Sequence, residues 1–134
     1  MSKRIVLVAI AAMLALPAQA QQPIVNTYVA RPGETINLGP TYWVVPTTCQ
    51  NIAIAKPDVE ILSGPAGLKV EVREAMVIPQ NAGNCKNEVK GAHIWLTVPA
   101  DIEAVTAHIV ARITQHDRNG PQPRGFAFNL MIAH

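Results

Sequence analysis

Four histidines and two cysteines are the residues of this 134-residue chain whose chemistry could be special. His93 and His108 fall on the polar faces of two apparent strands, and His116 follows His108 by eight residues, an even spacing that keeps both on one face. If the strands of His93 and His108 were neighbours, their imidazoles could share an ion with Asp117, Glu103 or Glu88 as a third ligand. No H-x-H occurs, nor any Cys/His/Met cluster with the spacing of a copper site, so no metal or other cofactor is expected and the three histidines are weak candidates. His134, at the end of the chain, is expected to be disordered rather than ligating.

Cys49 and Cys85 lie in polar, turn-forming segments, "PTTCQN" and "NAGNCKNEVKG". There is no C-x-x-C and no histidine within a few residues of either, which argues against a redox or metal pair. The pair reads as a structural disulfide joining two long loops at one end of the domain, with intermolecular pairing or a free thiol as the alternatives.

Catalysis finds little material. After residue 20 the only serine is Ser63, in the turn "LSGPAG", and no nucleophile elbow surrounds it. Glu60 and Glu71 alternate outward on their strands. Glu74 breaks the pattern, because it shares the register of Val70 and Val72. A β-bulge that swings it outward, or an ion pair with Arg73 or Arg112, is the expected resolution. No Gly-rich phosphate loop is present, and an enzyme is not expected. Recognition is better served: Trp95 projects on the face of His93, and Tyr42 and Trp43 precede the first cysteine. These four form a candidate interaction surface, since exposed Trp and Tyr are common anchors of interfaces. The competing reading has Trp43 and Trp95 covering the ends of a core.

The elements that must position these residues read as short strands. Residues 1–20 carry a basic start (Lys3, Arg4), twelve apolar residues from Ile5 to Leu16, and "AQA" before position 21. This is the pattern of a secretory signal peptide cleaved near Ala20, and the apolar run falls short of the roughly 20 residues that span a bilayer. The remaining segment, 21–134, is expected to be one domain, periplasmic or secreted, with no integral membrane segment. Without Lys3 and Arg4 it has nine basic and nine acidic residues and no basic cluster, which excludes the electrostatic footprint of a nucleic-acid binder.

Proline and glycine punctuate this segment at short intervals, and the runs between them are rich in Val, Ile, Thr and aromatics. Leu68, Val70 and Val72 alternate with Lys69, Glu71 and Arg73. Ile94, Leu96 and Val98 alternate with His93, Trp95 and Thr97. Val105 to Ile113 and Phe126 to Ile132 alternate likewise. "HDRNGPQPRG" is expected to be a hairpin connection with Asn119-Gly120 supplying positive φ. Ile24–Val29, Glu34–Leu38, Thr41–Val45 and Asp58–Leu62 complete the set, giving an all-β, immunoglobulin-like antiparallel β-sandwich of about seven to nine short strands with one disulfide. The strand count and the order of turns resemble bacterial immunoglobulin-like modules. That resemblance implies a non-enzymatic binding or accessory module of the cell envelope, whose partner is another envelope protein or a surface ligand. The alternatives are a metal-binding protein using the surface histidines, or a structural subunit assembling by strand addition.

Overall fold

The computed structural model describes residues 26–79 and 85–134. The segment expected to be a signal peptide and the stretch Asn81–Asn84 lie outside them. The described residues form seven strands: β1 (Asn26–Ala30), β2 (Thr35–Thr41), β3 (Ala55–Ser63), β4 (Lys69–Val77), β5 (Val89–Thr97), β6 (Thr106–Asp117) and β7 (Gly120–Ile132). They form a four-stranded sheet of order β1-β7-β6-β3 and a three-stranded sheet of order β2-β5-β4. None of the described residues is in a helix, and none of the described segments is a helix long and apolar enough to cross a membrane.

The alternating pattern positions the core. Leu96 and Val98 from the smaller sheet side meet Ile109, Phe128, Leu130 and Ile132 from the larger, all buried in one cluster closed by Ala30 and Ile102. Tyr28 adds an edge-on contact to Phe128 at 5.5 Å between centroids, and its hydroxyl donates to the Leu38 carbonyl at 2.6 Å, tying β1 across to β2. Period-two burial thus selects which residues face inward, while apolar area removed from water supplies the drive.

Four features differ from the expectation. The sheets are not wholly antiparallel, because β1 runs parallel to β7 from Asn26↔Phe128 to Ala30↔Ile132. Thr41–Val45 forms no strand; β2 ends at Thr41, and beyond it only an isolated Val44↔Asn51 bridge closes the loop. β6 and β7 run through most of the expected hairpin connection, pairing as far as Asp117↔Gly120, so the turn is Arg118-Asn119 and Gly120 alone takes the positive φ of 103°. Pro121 and Pro123 therefore sit inside a strand. They are tolerated because β1 pairs with β7 only from Phe128 onward among the described residues, leaving those rungs without a second neighbour.

The fourth difference is Glu74. β4 pairs with β5 in unbroken register from Lys69↔Thr97 to Val77↔Val89, so no bulge turns it outward. Arg73 bonds Glu71 at 3.0 Å and Arg112 pairs with Glu60, so neither arginine is its partner. Glu74 stands opposite the buried Ala92, on the inward register of the edge strand β4, and is exposed. One residue along, Gly91 is forced by crowding. A Cβ there would stand 2.5 Å from the Thr41 carbonyl oxygen and 2.6 Å from Val77 Cγ2, so any side chain would push the flanking strands away.

Candidate interaction face and its surroundings

The outer face of β2, β5 and β4 is built by the residues that alternate with the core positions. Trp95 sits on the central strand, between Asn37 of β2 and Glu71 of β4 on the same rung. Arg73, diagonal to it, lays its guanidinium 4.7 Å from the indole centroid while donating to Glu71 Oε2 at 3.0 Å. The cation is attracted by the ring face and the carboxylate together. The Arg73 hydrogen bond, then its charge, holds the Glu71 carboxyl below its ordinary value, and Glu71 in turn raises Arg73.

On the other side, Asn37 Oδ1 accepts the Gly39 N–H at 2.8 Å, at the irregularity between Asn37 and Gly39. Its Nδ2 is then left to donate to His93 Nδ1 at 3.2 Å, which assigns the proton of a neutral His93 to Nε2. Thr35 and Thr97 close the row with hydroxyls 2.8 Å apart. The result is a face in which one indole is held by an arginine and ringed by paired polar groups. Tryptophan and arginine are the residue types that most often anchor interfaces.

Tyr42 and Trp43 do not join this face. Their loop folds over the end of the sheets, where Trp43 Nε1 donates to Asp117 Oδ2 at 2.9 Å and Arg124 stands 5.4 Å from the indole centroid. Trp43 therefore clamps the loop to the β6–β7 hairpin. Asp117 Oδ1 also accepts the Asn119 N–H at 2.8 Å. The Trp43 hydrogen bond first, and the bonds from Asn119 and Gln122 after it, outweigh burial and lower the Asp117 pKa. A depressed carboxylate contributes stability that is fully present above the unfolded value near 4 and is lost as pH falls through the lower folded value. Trp43→Phe removes the principal donor. The Asp117 side-chain titration followed by NMR is expected to move up toward the ordinary range, and the acid-side loss of stability to become shallower; an unchanged Asp117 midpoint contradicts this account.

The disulfide forms as expected, joining Cys49 to Cys85 with Cα atoms 5.4 Å apart. Cys49 takes a positive φ of 57°, and Val45 receives its N–H at 2.8 Å, so the bridge anchors a tight turn in the loop that carries Tyr42 and Trp43. Cys85 lies between β4 and β5.

The histidines are not brought together. His93 is on β5 of the three-stranded sheet, while His108 and His116 are on the outward positions of β6 in the other sheet. The condition for a shared ion, adjacency of the two strands, is not met. His108 and His116 share a face but stand about 27 Å apart along an extended strand. Each is engaged locally: His108 Nδ1 with Asn129 Oδ1 at 2.9 Å, and His116 Nε2 with Asp58 Oδ2 at 2.7 Å. Among the described residues no three His, Cys, Asp or Glu side chains converge as a metal site. His134, expected to be disordered, has its Nε2 2.9 Å from the Ala104 carbonyl oxygen.

The chain matches no protein-family model and no curated protein. Among solved structures, the solution structure of amebosin is similar over 80% of this chain and 88% of its own, with 17% sequence identity and a TM-score of 0.43. At that level the likeness carries no argument about this chain.

Proposed function

We propose that the protein is a non-enzymatic binding or accessory module of a bacterial cell envelope, exported to the periplasm or beyond, and built as an immunoglobulin-like sandwich. The strand order supports the architecture: β2-β5-β4 over β3-β6-β7 follows the B-E-D and C-F-G arrangement of immunoglobulin domains, with β1 added beside the last strand. The Cys49–Cys85 bridge is consistent with an oxidising compartment. The observation that carries the functional reading is Trp95, held by Arg73 at the centre of the outer face of the smaller sheet. On the outer face of the larger sheet Arg112, His116 and His108 are instead paired off with Glu60, Asp58 and Asn129.

A photo-crosslinking residue placed at Lys69, on the Trp95 face, and separately at Thr106, on the opposite face, tests this in the envelope of the producing cell. A discrete adduct is expected from position 69 and not from 106, and Trp95→Ala is expected to weaken it by about tenfold or more. Adducts that are equal from both positions, or indifferent to Trp95, overturn the assignment.

A further inference from the structure

Between β2 and β7 the two sheets leave a cleft of about 460 Å³, with Leu38, Pro40, Ile94, Ile113 and Phe126 among its lining. Leu38 and Phe126 are only half-buried there, although both pack against the core. The edge of β7 flanks this cleft. Ile132 donates its N–H toward the β6 side, to Val105 at 2.8 Å, whereas Ala133 donates to Ala30 of β1 at 2.8 Å. Successive residues of a strand turn their backbone groups to opposite sides, so the odd-numbered residues of β7 face β1. Pro121 and Pro123 share that parity, carry no N–H, and blunt the edge near the hairpin. Gly125 and Ala127 keep their N–H groups, and among the described residues no strand lies beside them.

The chain that leads into β1 starts where this edge becomes free. The parallel register from Asn26↔Phe128 to Ala30↔Ile132, continued backward, sets Val25 beside Ala127, Ile24 beside Phe126 and Gln22 beside Arg124. Ala30 accepts from Ala133 across that ladder, and Tyr28 and Ala30 face the core. Even-numbered residues of this strand therefore turn their backbone groups to β7 and their side chains inward. On that parity Ile24 accepts the Ala127 N–H, donates to the Gly125 carbonyl, and drops its side chain into the cleft beside Phe126. Gln22 likewise accepts from Gly125 and donates to the Pro123 carbonyl. Pro23 has the other parity, so its missing N–H costs the ladder nothing, and Val25 points to solvent as the exposed Val29 does. The next acceptor, Ala20, would meet Pro123, which has no N–H, so the ladder runs out at the expected cleavage point.

We propose that residues 22–25 dock on the free edge of β7 as a parallel continuation of β1, with Ile24 in the cleft. The segment then caps the stretch of edge that the prolines leave open. An uncapped edge of this kind is a template for pairing with another chain, so the docked segment guards the domain against strand addition at β7. The site belongs to the edge of the larger sheet and the Trp95 face to the smaller one, so this inference and the crosslinking result stand or fall separately.

The test is amide hydrogen exchange and NOE spectroscopy on the protein purified from the producing cell. The Gly125 and Ala127 N–H groups are expected to exchange about a hundredfold or more slower than in an unstructured chain, and the Ile24 methyl groups to show NOEs to the Phe126 ring. Ile24→Ser is expected to quicken both amides by about tenfold or more, and Val25→Ser by under about threefold. The Met131 N–H, which faces β1 within the described ladder, is expected to stay protected in both variants. Exchange of Gly125 and Ala127 at the unstructured rate in the wild type, or equal effects of the two substitutions, overturns the docking. Ile24–Phe126 NOEs that arise between labelled and unlabelled copies in a mixed sample would assign the strand to a second copy and overturn the intramolecular cap.

Discussion

Loss of the Cys49–Cys85 bond is expected to lower stability by about 4 kcal/mol, the chain-entropy value for a closed loop of 36 residues. With a urea slope near 2 kcal/mol/M, the unfolding midpoint of Cys49→Ser/Cys85→Ser should fall by about 2 M relative to the oxidised wild type. A domain of this size has only about 5–15 kcal/mol in all, so the variant is expected to be marginal at body temperature. The effect should also be local. The bridge holds the loop that carries Tyr42, Trp43 and Asn51, while the Trp43–Asp117 bond holds the same loop independently. Hydrogen exchange should therefore quicken first between residues 44 and 54 and leave β6 and β7 protected. A midpoint shift under about 0.5 M would show that the Trp43 clamp alone fixes the loop.

Leu96→Ala is expected to cost about 3–5 kcal/mol. Leu96 is fully buried in the central strand of the smaller sheet, with Ile36 and Val70 on its flanking rungs, and it belongs to the cluster containing Ile109, Phe128 and Leu130. Truncation removes its transfer free energy and leaves a cavity between two sheets that are each fixed by their ladders, so little collapse can compensate. Met131→Ala, a similar deletion at a residue 46% exposed, should cost under about 1 kcal/mol. Comparable midpoints for the two variants in urea would show that the buried cluster does not dominate stability.

The sequence is most readable where burial alternates. The inward sets of β4 to β7 follow from periodicity, because each of those strands has one face on the core and one in water. Pairing partners are a different matter, since which strands become neighbours is decided by long-range packing. Nothing local announces that β1 runs parallel to β7, or that His93 and His108 belong to different sheets. Thr41–Val45 has strand composition, yet Asp117 and Arg124 recruit Trp43, and the loop departs from the ladder. The same reasoning bears on the candidate sites. Trp95 and His93 share a face because they are two residues apart on one strand, which spacing alone reveals. Their partners Arg73 and Asn37 come from neighbouring strands and needed the register. For Glu74 the pattern showed the anomaly, and only the fold disclosed that it stands exposed opposite the buried Ala92.

The parallel pairing of β1 with β7 has a mechanical side. Because the two strands point the same way, tension between the chain entering β1 and the chain leaving β7 acts along the ladder in opposite senses. The rungs from Asn26↔Phe128 to Ala30↔Ile132 are then loaded together in shear. An antiparallel pair gripped at one end would instead unzip one rung at a time. A tether built this way resists stretching through its terminal strands, and the buried Ala30, Leu130 and Ile132 add their packing to that resistance.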